Sequence, residues 1–561
     1  SRLEFDRAAL EAVADKGANA KLATYLRLSG PGWLQSAITL GGGSLAGGLY
    51  LGVLSGYSMM WLQPLAMLMG VAMLAAIAYV TLSTGRRPFR LVVEEVNPVL
   101  GWAWAIATLM ANVVWCLPQF SLGIAAIRQN LLPGVLGDGA TGPLGGETGT
   151  WVAVGFLAVV ALLTIVSYER GGRGMALFEG VLKVLVGVIV LSFIGVVIKL
   201  TGVEGGIDWS AVWSGFVPSF GALGEPPAAF RDALSATTDA GREFWSGKIL
   251  GDRRDVMLTA AATAVGINMT FLLPNSLLDR GWDKRFRGLS TFDLATGLFV
   301  PFLIATACVV MASAARFHGQ FNAELVSAEP TTEATQAVAP PGVAGQYLKL
   351  LGARAAADGE GVAVEDLTEG DRRLAAMLVR RDAFDLADAL APLTGSTIAQ
   401  YVFGGGVLAM ALSTIVVLML INGYVFCEIR GAPHRGVTHF VGALIPLLVG
   451  VLAPVLWTGD AKVWLAVPTS VIGFILLPIA YVTFILLMNN RRVLGDAAPT
   501  GVTRLAINAV LGLAVSLATV GAAVSIQSKA GTLGFIAAGA LIALALLARK
   551  PGGSDTAEAA G

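Results

Sequence analysis

Histidine and cysteine are scarce, with three of each in 561 residues, and only 14% of the residues are charged. Cys116, Cys308 and Cys427 stand far apart in apolar sequence and form no CxxC pair. That excludes a disulfide framework and leaves them as small core hydrophobes. His318, His434 and His439 read as structural or interfacial residues rather than metal ligands. HExxH, GxSxG and Walker-type loops are all missing, so neither enzymatic chemistry nor a cofactor is expected. An excess of charge is missing too: 38 basic residues face 38 acidic ones, which argues against a nucleic-acid partner. A soluble protein would carry about a quarter charged residues. Its N-terminus is charged and amphipathic, not a cleavable signal, and Ser1 in place of Met reads as a trimmed start.

Apolar runs are what the chain has instead. The sequence is 55% hydrophobic with a mean hydropathy of +0.72, a composition that dissolves in lipid. A helix needs about 20 apolar residues to cross a bilayer. Runs of that kind lie at 33–54, 59–83, 100–127, 150–168, 174–200, 256–278, 291–314, 397–426, 437–457, 463–488, 503–526 and 532–548, which predicts about twelve spans. Arg86, Arg87 and Arg90 follow the second span, and Arg170 and Arg173 the fourth. Arg280, Lys284, Arg285 and Arg287 follow the sixth; the later even exits are also basic, and the odd exits nearly bare. Lys and Arg favour the inner face, so both termini are expected in the cytoplasm of a bacterial-type plasma membrane.

The expected organisation is an amphipathic segment 1–29 and a first repeat 30–200, then an extracellular insertion 201–254 and spans six and seven over 255–314. A second extracellular insertion 315–392 precedes spans eight to ten over 393–490, spans eleven and twelve over 491–549 and a cytoplasmic tail 550–561. The first insertion carries Trp209, Trp213, Phe216, Phe230, Phe244 and Trp245 and suits a folded cap with interfacial pieces. The second reads as an outer subdomain or a mobile loop. Within the spans, Glu179 and Lys183 sit one turn apart and are placed to neutralise each other. Glu94 and Glu95 look like interfacial residues at the start of span three.

Two spans contain poor helix. ITLGGGSLAGG, residues 38–48, puts three glycines and a serine in the first, each glycine costing about 1 kcal/mol against alanine. GINMTFLLPNSLLDRGW, residues 266–282, interrupts the sixth with Asn268, Thr270, Pro274, Asn275 and Ser276. Pro274 removes a backbone hydrogen bond and crowds the preceding turn. Transporters built from inverted repeats bind cargo where two such broken helices meet at mid-membrane. That predicts an all-α membrane protein whose first two repeats are spans one to five and six to ten. Its substrate site would be made by Thr39, Gly41, Gly42, Gly43, Ser44, Gln119, Asn268, Thr270, Pro274 and Asn275. The competing reading of the glycines is a tight crossing through small residues, as at Gly47 and Gly48.

GPGWLQSAITLGGGSLAGGLYLGVLSGY, residues 30–57, resembles the first span of Nramp divalent-metal transporters, in which a Gly-Pro opening leads to an Asp-Pro-Gly-Asn break. ALSTIVVLMLINGYVF, residues 411–426, is similar to that family's eighth span. The resemblance implies the LeuT-type inverted-repeat fold and proton-linked import of manganese or iron. It also implies losses. Gly41 stands where the family has its metal-binding Asp, Gly42 where it has Pro, and Ser44 where it has Asn. Leu273-Pro274-Asn275 replaces a Met-Pro-His region and removes its thioether, unless Asn268 or Thr270 takes that place. Val113 and Cys116 fall where the proton-handling carboxylates belong.

Neutral oxygens from the backbone carbonyls around 39–42 with Ser44, Gln119, Asn268 and Asn275 would suit a largely hydrated hard cation. Free N–H groups at the start of the second half-helix would suit an anion instead. Three readings follow: an Nramp-like carrier of a partly hydrated divalent metal without proton coupling, a carrier of a small anionic or zwitterionic solute, and a transport-dead membrane protein that binds a partner through its outer segments. Its surroundings in each are the lipid bilayer and, in the first two, a small ion or solute.

Overall fold

The computed structural model describes residues 2–13, 15–203, 205–359, 362–380, 385, 398–456 and 466–548. Among these residues the chain is helical, with no strand. The first span is two helices, α1 (Pro31–Thr39) and α2 (Gly42–Ser55), bent by 57° across Leu40 and Gly41. α3 (Leu62–Thr84) stops at Gly85, which takes the left-handed conformation at φ 63°. α4 (Pro98–Ala125) starts where the Asn97 side chain accepts from the Val99 and Leu100 amides, with Pro98 at the position that needs no N–H. α5 (Gly146–Glu169) and α6 (Gly172–Thr201) complete the first repeat.

The sixth span is also two helices, α7 (Asp239–Ala264) and α8 (Ile267–Asp279), separated by extended backbone at Val265 and Gly266. α9 (Val300–Phe317) follows, then α10 (Phe403–Arg430), α11 (Val437–Val451), α12 (Ala466–Phe474), α13 (Leu477–Met488), α14 (Gly501–Lys529) and α15 (Gly531–Leu547). Among the described residues nine spans pass by length and apolarity, or ten with the bent pair counted once; α11 and α15 are apolar but shorter. They occupy the expected runs 437–457 and 532–548, the first of which ends outside the described residues.

α10 is the axis of the molecule, since 89% of its most apolar stretch is buried and it packs against α4, α6 and α11. Apolar contact with lipid gives helices no reason to associate, so close approach through small residues has to do it. α2 lies against α9 this closely: a Cβ on Gly52 would fall 2.0 Å from the Ser313 hydroxyl. The tight crossing read at Gly47 and Gly48 is therefore real, but it begins one turn beyond the break.

Several expectations change. Pro274 lies inside α8 and does not break it; the chain breaks upstream, at Val265 and Gly266. The junction between the first insertion and span six, placed at 254/255, falls within α7. Glu179 does not pair with Lys183. It pairs with Arg280 at 2.7 Å, and Lys183 donates to the Ser29 carbonyl. Glu94 and Glu95 end the short helix Pro88–Glu95, where both pair with Arg86.

The two faces of the membrane core differ. Arg86, Arg87, Arg280 and Arg435 lie on one, called the basic face below, and the two polar insertions on the other. Asp371 ties the insertions together: it pairs with Arg354 of the second at 3.1 Å and accepts from the Trp245 indole of the first at 2.7 Å. The described parts of the second insertion, 319–359 and 362–380, carry helices packed in this way; most of 381–397 lies outside the described residues.

Candidate functional site: a cavity between two helix breaks

Where α1 ends and α8 begins, the chain leaves a cavity of about 60 Å³. One water needs about 10–15 Å³ measured this way, so an ion with a few waters fits. Thr39, the last residue of α1, stitches the two breaks together. Its hydroxyl donates to the carbonyl of Ala264, the last residue of α7, and lies 3.0 Å from the Met269 sulfur. Ser44 turns back to donate to the Thr39 carbonyl. Across the cavity, Gln119 on α4 accepts the Gly42 amide hydrogen at 2.9 Å through Oε1, leaving its buried Nε2 without a partner. Thr414 on α10 donates to the Ala37 carbonyl.

Glycine is required at this break by space. A Cβ on Gly41 would lie 2.4 Å from the Thr414 hydroxyl oxygen, and one on Gly43 2.6 Å from the Trp115 ring. Among the described residues, no carboxylate or imidazole lines the cavity. Two helix C-termini, those of α1 and α7, and two helix N-termini, those of α2 and α8, meet at it, so their partial charges oppose one another. Gln119 holds the Gly42 amide at the start of α2.

Of the residues the sequence nominated, Thr39, Gly41, Gly43, Ser44, Gln119 and Asn268 line the cavity. Gly42 acts through its amide alone. Thr270 faces away and accepts from the Trp104 indole at 3.0 Å. Pro274 and Asn275 do not reach: Asn275 lies about 12 Å further along α8 than Ile267 at 1.5 Å per residue. Its amide donates to the Phe271 carbonyl. The register of the break explains these misses. Since α8 starts at Ile267, its first turn faces the cavity, and that turn carries Met269. A thioether therefore does line the cavity, against the expectation that it was lost. Trp115, Thr263, Thr414 and Ser470 were also missed, although Thr414 stands within residues 411–426 and Trp115 between Val113 and Cys116, both stretches the sequence had singled out.

Comparison with known proteins agrees with this architecture. The family described as natural resistance-associated macrophage protein-like (Nramp) matches residues 32–355 and 374–524. The chain belongs to the Nramp family. Over 167 residues, 29% of the chain, it is 32% identical to a protein named metal transporter Nramp2 of Populus trichocarpa and 28% identical to metal transporter Nramp3.2 of the same species. Those stretches span 28% and 30% of the two relatives. A crystal structure of the Eremococcus coleocola manganese transporter, in complex with an aromatic bis-isothiourea substituted compound, superposes with a TM-score of 0.61 at 15% identity, covering 94% of each chain. That likeness shows the LeuT-type inverted-repeat fold of this Nramp-family chain.

Under the cavity, on the basic face, the start of α1 is held by a buried carboxylate. Asp293, in the helix Arg287–Leu294, accepts the Gly30 amide at 3.0 Å, the Gly32 amide at 2.6 Å and the Ser29 hydroxyl. A smaller cavity of about 20 Å³ lies beside it, lined by Glu179, Lys183, Ser276, Arg280, Tyr168 and Tyr424 among others.

Proposed function

We propose that the chain carries a divalent metal cation, partly hydrated, through the cavity between the two helix breaks. The observation that carries this reading is the lining: neutral oxygens from Thr39, Ser44, Gln119, Asn268 and Thr414, and one thioether from Met269. Neutral oxygens do not repay the loss of a divalent ion's whole water shell, so some of that water stays. Two C-terminal and two N-terminal helix ends meet at the cavity and do not set the sign of the cargo; the Met269 sulfur, which can only offer lone pairs, supports a cation over an anion. Membership of the Nramp family, whose relatives above are named for metal and manganese transport, supports a transporter rather than an enzyme. The arginines support a cytoplasmic basic face with the insertions outside, in a plasma membrane.

Uptake of Mn, Mg and Ca into proteoliposomes tests this. At least one of the three is expected to enter faster than into empty liposomes. If none enters and none raises the thermal midpoint of the purified protein, the reading fails. Met269→Leu sharpens it. Thioethers prefer soft ions, so the variant should lower uptake of Cd about tenfold, equivalent to roughly 1.4 kcal/mol, while sparing Mg. Equal losses for both ions would place the sulfur outside the cation's contacts. Because no carboxylate or imidazole among the described residues lines the cavity, an internal pH dye should stay flat during uptake. Acidification that tracks metal entry would show a proton travelling with it.

A further inference from the structure

α8 is joined to α7 only through the extended residues Val265 and Gly266, so its far end stays in place only if something ties it down. That end is Asp279. Its Oδ2 accepts from the Tyr168 hydroxyl at 2.6 Å and the Tyr424 hydroxyl at 3.2 Å, and its Oδ1 meets His434 Nδ1 at 2.8 Å. On the other side of the ring, His434 Nε2 meets Glu428 Oε1 at 2.8 Å. His434 lies in the loop between α10 and α11, Glu428 on α10, and Tyr168 at the end of α5. A half-helix of one repeat is thus pinned to three elements by one imidazole and two phenols.

Both ring nitrogens face carboxylates. Only the imidazolium can donate from both; the neutral ring must turn one lone pair toward a carboxylate oxygen. We infer that His434, with Asp279 and Glu428 on either side, is a proton-operated latch that holds α8 closed on the basic face and lets it go when the imidazole loses its proton. This rests on the reading of the chain as a carrier, and it makes the proton a regulator of the gate rather than a passenger.

The surroundings leave the carboxylates dependent on that proton. The Glu428 side chain is fully buried, its Oε2 has no partner, and its nearest other cation is Arg87, 3.6 Å from Oε1. The Arg435 guanidinium sits over the Tyr168 ring at 5.3 Å. Glu169 is occupied by His439 and by the Gly436 amide. Tyr424 stacks at 5.0 Å from the His434 ring and offers Asp279 a neutral hydroxyl. Burial pulls the His434 pKa down, and the bonds and charges of Asp279 and Glu428 more than reverse this, leaving it above the usual histidine value. A raised pKa means the tie is whole below the ordinary histidine range and is lost as pH climbs through the raised value. The gate is therefore closed at acid pH and loosens as the cytosolic pH climbs through that raised value.

Ser276 lines the small cavity beside Tyr168 and Tyr424, so a cysteine there reports opening. With Cys116, Cys308 and Cys427 changed to alanine, Ser276→Cys is labelled by a water-soluble maleimide in the full-length protein, with and without His434→Gln. Thiol ionisation affects both proteins alike and cancels in the ratio of rates. At pH 6.5 the glutamine variant should label about tenfold faster, the equivalent of 1.4 kcal/mol; at pH 9 the two rates should converge. A ratio that does not change with pH overturns the latch. If His434→Gln does not fold, spin labels at the exposed Lys284 and Arg430 in protein with His434 intact serve instead. A longer-distance population should grow from pH 6.5 to pH 9, and an unchanged distribution overturns the proposal. Neither measurement needs cargo, so a failed latch and a failed metal carrier give different results.

Discussion

With Gly43 replaced by leucine, metal uptake should fall at least about a hundredfold, a loss of roughly 2.7 kcal/mol or more, while the protein still folds and inserts. The reason is geometric. A Cβ at this position already lies 2.6 Å from the Trp115 ring and 2.7 Å from the Thr263 methyl. Both neighbours are side chains on the cavity wall, so the rest of the isobutyl group has only the cavity of about 60 Å³ to enter. Leucine is a better helix former than glycine, so the backbone of α2 offers no objection. Gly187→Leu on α6, where nothing lies within 4 Å of a new Cβ, is the matched control and should transport as the parent does. Size-exclusion profiles of both variants should match the parent. Parent-like uptake by Gly43→Leu would mean that the cargo takes another route.

The break in the first span was legible because its cause is local. Three glycines in a row weaken a helix wherever they stand, and Leu40–Gly41 is where it parts. The sixth span was harder. Proline is the strongest local signal of a break, and Pro274 drew the expected site toward Asn275. The structure parts instead at Val265 and Gly266, where no residue is unusual by itself. Val265 is extended because Gly70 on α3 leaves room for it: a Cβ on that glycine would fall 2.2 Å from a Val265 methyl. That is a contact 195 positions away in the chain, and no local pattern reports it. The same shift hid Met269, because Leu273-Pro274-Asn275 was set against the family's Met-Pro-His region instead. Thr414 and Ser470 were hidden for a similar reason, as ordinary helix residues that meet the cavity only when α10 and α12 pack. The basic-face cluster was the least visible of all. Of its members the sequence analysis weighed only His434, as a structural or interfacial residue; Asp279 and Glu428 meet its ring only when α8 and α10 pack.

Asp293→Ala should release the inner end of α1 and cost the folded protein about 3 kcal/mol, since hydrogen bonds to a charged acceptor are worth about 1.5–3 kcal/mol each and leaving buried donors unpaired adds to the loss. The first amides of any helix have no partner within it, and in α1 they start buried, beneath the cavity. Asp293 satisfies two of them and the Ser29 hydroxyl, and it does so from an element of the second repeat. The fit is close enough that a Cβ on Gly32 would lie 2.1 Å from the Asp293 carbonyl oxygen, so no other helix start could sit there. Losing the tie should lower the thermal midpoint and, with α1 unable to seal the basic face, reduce net metal accumulation about tenfold or more, the equivalent of 1.4 kcal/mol. Asp293→Asn separates charge from shape. Its amide oxygen can still accept from one of the two glycine amides, so it should recover part of the midpoint and part of the uptake. If alanine and asparagine both behave as the parent does in melting and in uptake, α1 is held by packing alone and the carboxylate is incidental to the gate.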